Sequence, residues 1–207
     1  WASIREQPIS TPRLEGYKVL FINLLHEARP AFSSAEIEAI QKFVRDGGGL
    51  FVIADHTNVY RHAERINPVL APMGLEVTYH SALDTSPNAV SGTAWIAITN
   101  FMEHPVNQDI GMISFQPGGT MADSGAIART SERGFGDLWD EANTGGYYGN
   151  WRYDNDPELE PKGEVPVVVA AEYGQGRVVV VGDQNIYGDA WLHFGDNFKH
   201  ALNAFEW

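Results

Sequence analysis

Residues 17–54 restrict the chain to very few topologies. Tyr17 to Leu25 (YKVLFINLL) is a predominantly apolar run, the pattern of a strand covered on both faces. Ser33-Ser34-Ala35-Glu36 is a capping-box pattern, and Ile37, Ile40, Phe43 and Val44 behind it fall at helical spacing. Gly47-Gly48-Gly49 supplies the left-handed conformations that end such a helix. Leu50 to Ala54 then reads as a second buried strand. A strand–helix–strand unit predicts parallel strands joined by a right-handed crossover, and so an α/β protein.

Downstream, a helix is expected over Arg61 to Ala71, which would leave His62 exposed, and His200 is likewise expected on the open side of a helix. Leu75 to His80 alternates, as a half-exposed strand near an edge does. Trp95 to Ile98 and Met112 to Phe115 are short strand candidates. Residues 117–162 are rich in Gly, Asp, Asn and aromatics with little periodicity. They read as an irregular insertion, with short strands near Ala126 to Arg129. Val165 to Tyr173 and Arg177 to Val181 flank Gly174-Gln175-Gly176, a hairpin signal. Phe198, Ala201, Leu202 and Phe205 mark a closing amphipathic helix. With 207 residues, 43% of them hydrophobic, and no internal repeat, residues 1–207 read as one domain carrying an insertion at about 117–162.

Charge and composition remove several functions. A formal net charge of -13 repels a phosphate polyanion, which argues against nucleic acid as a partner. The absence of cysteine removes disulfides, thiolate metal sites and thiol nucleophiles. No apolar run approaches the roughly 20 residues of a membrane span. The chain opens at Trp1 and not at Met, as a mature or excised part of a larger protein would.

Three strands end alike. The first runs into Asn23, His26 and Glu27. The second runs into Asp55, His56 and Asn58, and the last into Asp183, Gln184 and Asn185, then Asp189 and His193. In open α/β sheets, ligands bind at the carboxyl ends of the strands. The expectation is therefore a polar crevice floored by these groups, with Asp55 and His56 fixed at a strand-to-helix junction and their side chains turned outward. The same residue types also cap helices and form turns, which needs no chemistry.

The order of "FSSAEIEAIQKFVRDGGGLFVIAD", "INPVLAPMGLEV", "HPVNQDI" and "VVAAEYGQGRVVVVGDQN" resembles the class I glutamine amidotransferase-like superfamily. Within it, the sequence is most similar to cysteine-less scaffold or extracytoplasmic domains related to intraflagellar-transport and gliding-protein modules. A weaker similarity is to the trehalose-utilisation type. The resemblance implies a flavodoxin-like three-layer sandwich with a mostly parallel sheet, and an extracytoplasmic setting. It also implies a reactive residue at a strand-to-helix turn, where true amidotransferases carry a cysteine; this chain has none. Many such relatives bind or scaffold and do not catalyse.

Three chemistries suit the crevice. The first is binding of a polar, carbohydrate-like ligand. Its residues would be Asn23, His26, Glu27, Asn58, Gln184, Asn185, Asp189 and Trp191, under a lid-like segment Gly145 to Tyr153 that offers Tyr147, Asn150 and Trp151. The second is hydrolysis, with Asp55 and Asp183 as paired carboxyls and His56 as general base. The third adds a divalent metal on Asp55, His56, Asp183 and His193, although their spacing matches no established metal motif. A protein-interaction scaffold using the insertion as its docking surface is the remaining class.

Overall fold

The computed structural model describes residues 7–87, 89–91, 95–140, 142 and 147–207. After a short helix, α1 (Thr11–Leu14), the expected unit is present: β1 (Val19–Asn23), α2 (Ser34–Arg45) and β2 (Gly49–Ile53). The strands are parallel, with Val19 opposite Gly49 and Asn23 opposite Ile53. The Ser33 hydroxyl accepts the Glu36 N–H, and the Glu36 carboxylate accepts the Ser33 N–H, which closes the capping box. Gly47 ends the helix at φ 111°, a left-handed value that only glycine adopts without strain.

Helix α3 (His62–Leu70) is followed by β3 (Val77–Asp84), β4 (Ala89–Ser91), β5 (Trp95–Ile98), β6 (Asn100–Phe101), β7 (Ile113–Phe115), β8 (Gly119–Met121), β9 (Ala126–Arg129) and β10 (Gly134–Leu138). The hairpin β11 (Pro166–Tyr173) and β12 (Gly176–Val181) comes next, and α4 (Asn197–Glu206) closes the chain. The main sheet has six strands in the order β1-β2-β12-β11-β9-β6, beside two three-stranded sheets, β10-β3-β8 and β4-β5-β7. Strand β12 lies parallel to β2, but β11, β9 and β6 add antiparallel pairs. The sheet is thus mixed, and not mostly parallel as expected. The expected hairpin, closed by a two-residue turn with Gly174 at φ 64°, supplies one antiparallel pair, and the addition of β9 and β6 beyond β11 supplies the other two.

Alternate side chains of the parallel strands serve two cores. Leu50, Val52, Val178 and Val180 meet Ile40, Val44, Ile66 and Leu70 of α2 and α3. Phe51, Ile53, Val179 and Val181 meet Ile96, Ile98, Ile113 and Phe115 on the other face, with Ala204 of α4. That second layer is chiefly the β4-β5-β7 sheet, so the helices-on-both-faces arrangement of a flavodoxin-like sandwich is only half matched. Among the described residues no helix is long and apolar enough to cross a membrane.

Three local expectations are corrected. The strand at Leu75 to His80 is not near an edge: β3 runs on to Asp84 and is the centre of its sheet. The region expected to be irregular carries β8, β9 and β10, and β9 belongs to the main sheet. In α4, Phe198 and Leu202 are 56% and 43% exposed, while Asn197 and His200 are buried. Hydrogen bonding explains the inversion. The Asn197 amide accepts the Ser114 N–H and donates to Trp191 O, and His200 Nδ1 pairs with the Tyr187 hydroxyl. His62 is also buried, for a reason given by the site.

Candidate functional site

Pairing fixes the level of the strand ends. Val181 faces Ile53, and the Ala54 N–H donates to Val181 O at 2.8 Å. Two residues further on stand Asp183 and Asp55, 0% and 2% exposed. The expectation that Asp55 and His56 point outward therefore fails: His56 is only 7% exposed. The expected convergence of Asp55 with Asp183 holds, in a buried form. Backbone packs on backbone here. A Cβ at Gly119 would lie 2.2 Å from Asp55 O, and one at Gly182 would lie 2.4 Å from Gly119 O.

The Asp55 carboxylate accepts the His56 N–H at 2.6 Å and hydrogen bonds from Gln184. Burial outweighs these bonds and pushes its carboxyl up to about 7. Asp183 accepts the N–H groups of Gln116 and Asn185, and the Asn185 amide donates to Gln116 O. Burial, and then the charge of Asp55, raise the Asp183 carboxyl well above the usual range. Two such carboxyls cannot both ionise cheaply, so they titrate as a pair. The Gln116 side-chain oxygen is buried with no hydrogen-bond partner.

His62 explains its own burial. Its Nε2 accepts the Asp55 N–H at 3.1 Å and its Nδ1 faces Val59 O at 2.8 Å, which fixes a neutral ring that braces the turn. Burial lowers both His62 and His56 to about 4. The His56 ring is stacked under Tyr148, with centroids 4.3 Å apart and planes at 13°. Thr57 donates its hydroxyl to Tyr147 O, and Tyr147 donates its own to Glu27 Oε1 at 2.6 Å. His26 stacks on Tyr60 at 4.1 Å, and Tyr60 meets Tyr147 edge-on. Trp151 leans on Tyr148, centroids 4.8 Å apart. The segment from Tyr147 thus lies over the strand ends as expected, while Gly145 and Gly146 fall outside the described residues.

Other predicted residues are engaged elsewhere. The Asn58 amide bonds to Glu64 and to the Ala63 N–H at the start of α3. Asn23 is exposed at the end of β1. Asn150 donates its side chain to Asp154. Trp191 packs edge-on against Trp95, His193 leans on Phe194, and Asp189 is exposed. Among the described residues no three His, Asp or Glu side chains form a group that could hold a metal ion. A cavity of about 260 Å³ lies along the covering segment, lined by Asp137, Trp139, Asn150, Asp154 and Glu160 among others, and does not include Asp55 or Asp183. Sequence reading missed Gln116, His62, Tyr60 and the Gly118-Gly119 approach. The signal for two of them was "FQPGGT", a fourth strand end with a polar group and paired glycines.

These features define a mixed α/β domain with a buried polar cluster at its parallel strand ends. The chain belongs to the family described as a domain of unknown function, DUF4350, whose model matches residues 19–204. No curated protein matches it. In fold it is similar to the mmIFT52 N-terminal domain, with TM-score 0.68 at 17% identity over 97% of this chain and 81% of that one. It is also similar to the cytoplasmic protein STM3548 from Salmonella typhimurium, with TM-score 0.53 at 16% identity over 97% and 75% of the two chains. STM1381 from Salmonella typhimurium LT2 gives 0.51 at 15% identity, over 97% and 76%. The expected likeness to intraflagellar-transport modules is borne out in fold alone. None of these likenesses carries an amidotransferase-like assignment.

Proposed function

We propose that this chain binds a small polar, carbohydrate-like ligand at the ends of β1, β2 and β12, as a cysteine-less relative of the glutamine amidotransferase-like domains. The observation that carries this reading is the Asp55–Asp183 pair at matched strand ends. Burial raises both carboxyls, so the pair would supply a hydroxyl donor beside acceptor oxygens, which is what neighbouring ring hydroxyls require. The partnerless Gln116 oxygen would take a further hydroxyl, since buried acceptors are rarely left unmatched. The Tyr148 and Trp151 rings suit the apolar face of a sugar. An extracytoplasmic setting within a larger protein would suit such a module. Calorimetric titration with a panel of mono- and disaccharides tests it, using wild type and Asp55→Asn, each checked for folding by thermal melting. Binding by wild type that the folded variant loses is expected; wild type indifferent to the whole panel would sink the reading.

A second reading, hydrolysis, is favoured by one feature. A carboxyl held at about 7 beside another acid lies in the range of a general acid or base at neutral pH. Turnover of chromogenic glycosides, abolished in Asp55→Asn and Asp183→Asn, would establish it.

A further inference from the structure

The strand-end groups are covered by a strap, Tyr147 to Trp151, which Thr57 and Glu27 hold at Tyr147 and a second fastening, outside the strand ends, holds at Asn150 and Trp151. Asp137, on β10 and 1% exposed, accepts the Asn150 N–H on one carboxylate oxygen at 3.1 Å and the Trp151 N–H on the other at 3.2 Å. Gly149 sits so close that a Cβ there would stand 2.3 Å from Leu138 O and 2.4 Å from Asp137 Oδ1. Glu160, also buried, braces the same place by accepting the Leu138 and Asp154 N–H groups at 3.1 and 2.8 Å. The bonds to Asp137 come from the strap's backbone, which leaves its rings free to lie on His56 and Tyr60.

We propose that Asp137 is the positioning residue that holds the strap closed, and that a ligand ring enters by displacing Tyr148 from His56. This rests on the reading of the strand ends as a ligand site. The backbone supports it. Tyr147 and Trp151 are held at φ 65° and 64°, left-handed values that residues with side chains seldom adopt without surrounding structure to impose them. With the Asp137 bonds gone, that imposition is lost at Trp151, while Tyr147 keeps its bonds to Thr57 and Glu27. The stack on His56 is a face-to-face contact of flat groups, which an incoming ring can replace in kind.

Labelling of histidines with diethyl pyrocarbonate, located by mass spectrometry, tests the clasp without any ligand. The variants are Asp137→Asn and Gly149→Ala. The first keeps the shape but turns an amide NH₂ toward one of the two N–H donors. The second keeps the carboxylate and forces the strap off by contact. His56 labelling is expected to rise roughly tenfold in each, the scale of one lost buried hydrogen bond. His200, buried on α4 beside Tyr187, should stay protected in both. Unchanged His56 labelling in a folded variant overturns the proposal. So does a joint rise of His56 and His200, which would mean general loosening. If Asp137→Asn fails to fold, Gly149→Ala decides alone. Raised His56 labelling with no sugar bound by wild type would support the clasp and overturn the carbohydrate reading.

Discussion

Asp55 and Asp183 end neighbouring parallel strands at the same level, each two residues past the facing pair Ile53 and Val181. Both are almost wholly shut from solvent, so the fold holds protons there that an unfolded chain would release. Asp55 is raised from an ordinary value of 3.8 to about 7. Between those values the folded state binds the extra proton. The contribution to stability is therefore full below pH 3.8 and is lost as pH rises through about 7. Its ceiling is about 4 kcal/mol, at about 1.4 kcal/mol per tenfold in proton affinity. Asp55→Asn should flatten the pH dependence of stability in that window, whatever it does to the absolute value. Urea midpoints from pH 4.5 to 8 measure this; equal slopes in wild type and variant would mean that Asp55 stays ionised in the fold.

The same strand ends are held by contact as well as by hydrogen bonds. A methyl group at Gly119 would meet the Asp55 carbonyl at 2.2 Å, a backbone atom that cannot swing aside. Gly119→Ala should lose about 1–3 kcal/mol or more, the usual cost of overpacking. Gly111→Ala is the control, because its methyl would lie 3.5 Å from Asp196 Oδ2, an ordinary contact. Chemical denaturation that ranks the two variants equally would show that the strand ends can spread.

Which parts of this were legible in sequence follows from the range of the forces involved. The β1–α2–β2 unit was readable because its signals are local: a capping box, a glycine stop and two apolar runs within 38 residues of one another. The mixed sense of the sheet was not, because β9 and β6 are only four and two residues long, with weak patterns, and extend the sheet beyond β11 by long-range pairing. Helix α4 misled for a related reason. Its apolar stripe pointed to a core, but Asn197 and His200 had partners on Ser114 and Tyr187 that no local pattern reveals. At the site, Asp55 and Asp183 were readable as strand ends. The role of Asp137 was not, since it acts on backbone N–H groups 13 and 14 residues away.

His200 carries an acid-side prediction of the opposite sign. Burial lowers it from 6.5 to about 4, so the folded state binds fewer protons than the unfolded chain between those values. Its contribution is full above pH 6.5 and is lost as pH falls toward 4. His200→Gln removes that titration. The variant should be less stable by about 1–3 kcal/mol at pH 7 through the disturbed Tyr187 bond, yet lose less on acidification. Thermal melts from pH 7 to 4.5 separate the two effects. A variant that loses stability with acid as steeply as wild type would place the acid sensitivity in His56 and His62 instead.

Tyr148 is the remaining test of how the site is closed. Its ring covers His56 at 4.3 Å, and burial is the main reason that His56 sits at about 4. Removing the ring exposes the imidazole to water, which favours its charged form. In Tyr148→Ala the His56 value should rise from about 4 toward 6.5, while His200, at a distance from the strap, stays near 4. The loss of the stacked pair should cost about 0.5–1.5 kcal/mol. Asp137 keeps its two backbone donors in this variant, so the strap should remain attached and only the ring be missing. Imidazole resonances followed by NMR titration report each histidine separately. If His56 holds its low value without Tyr148, its burial comes from the Thr57 and Tyr147 backbone and not from the ring, and a ligand could not reach the imidazole by displacing Tyr148 alone.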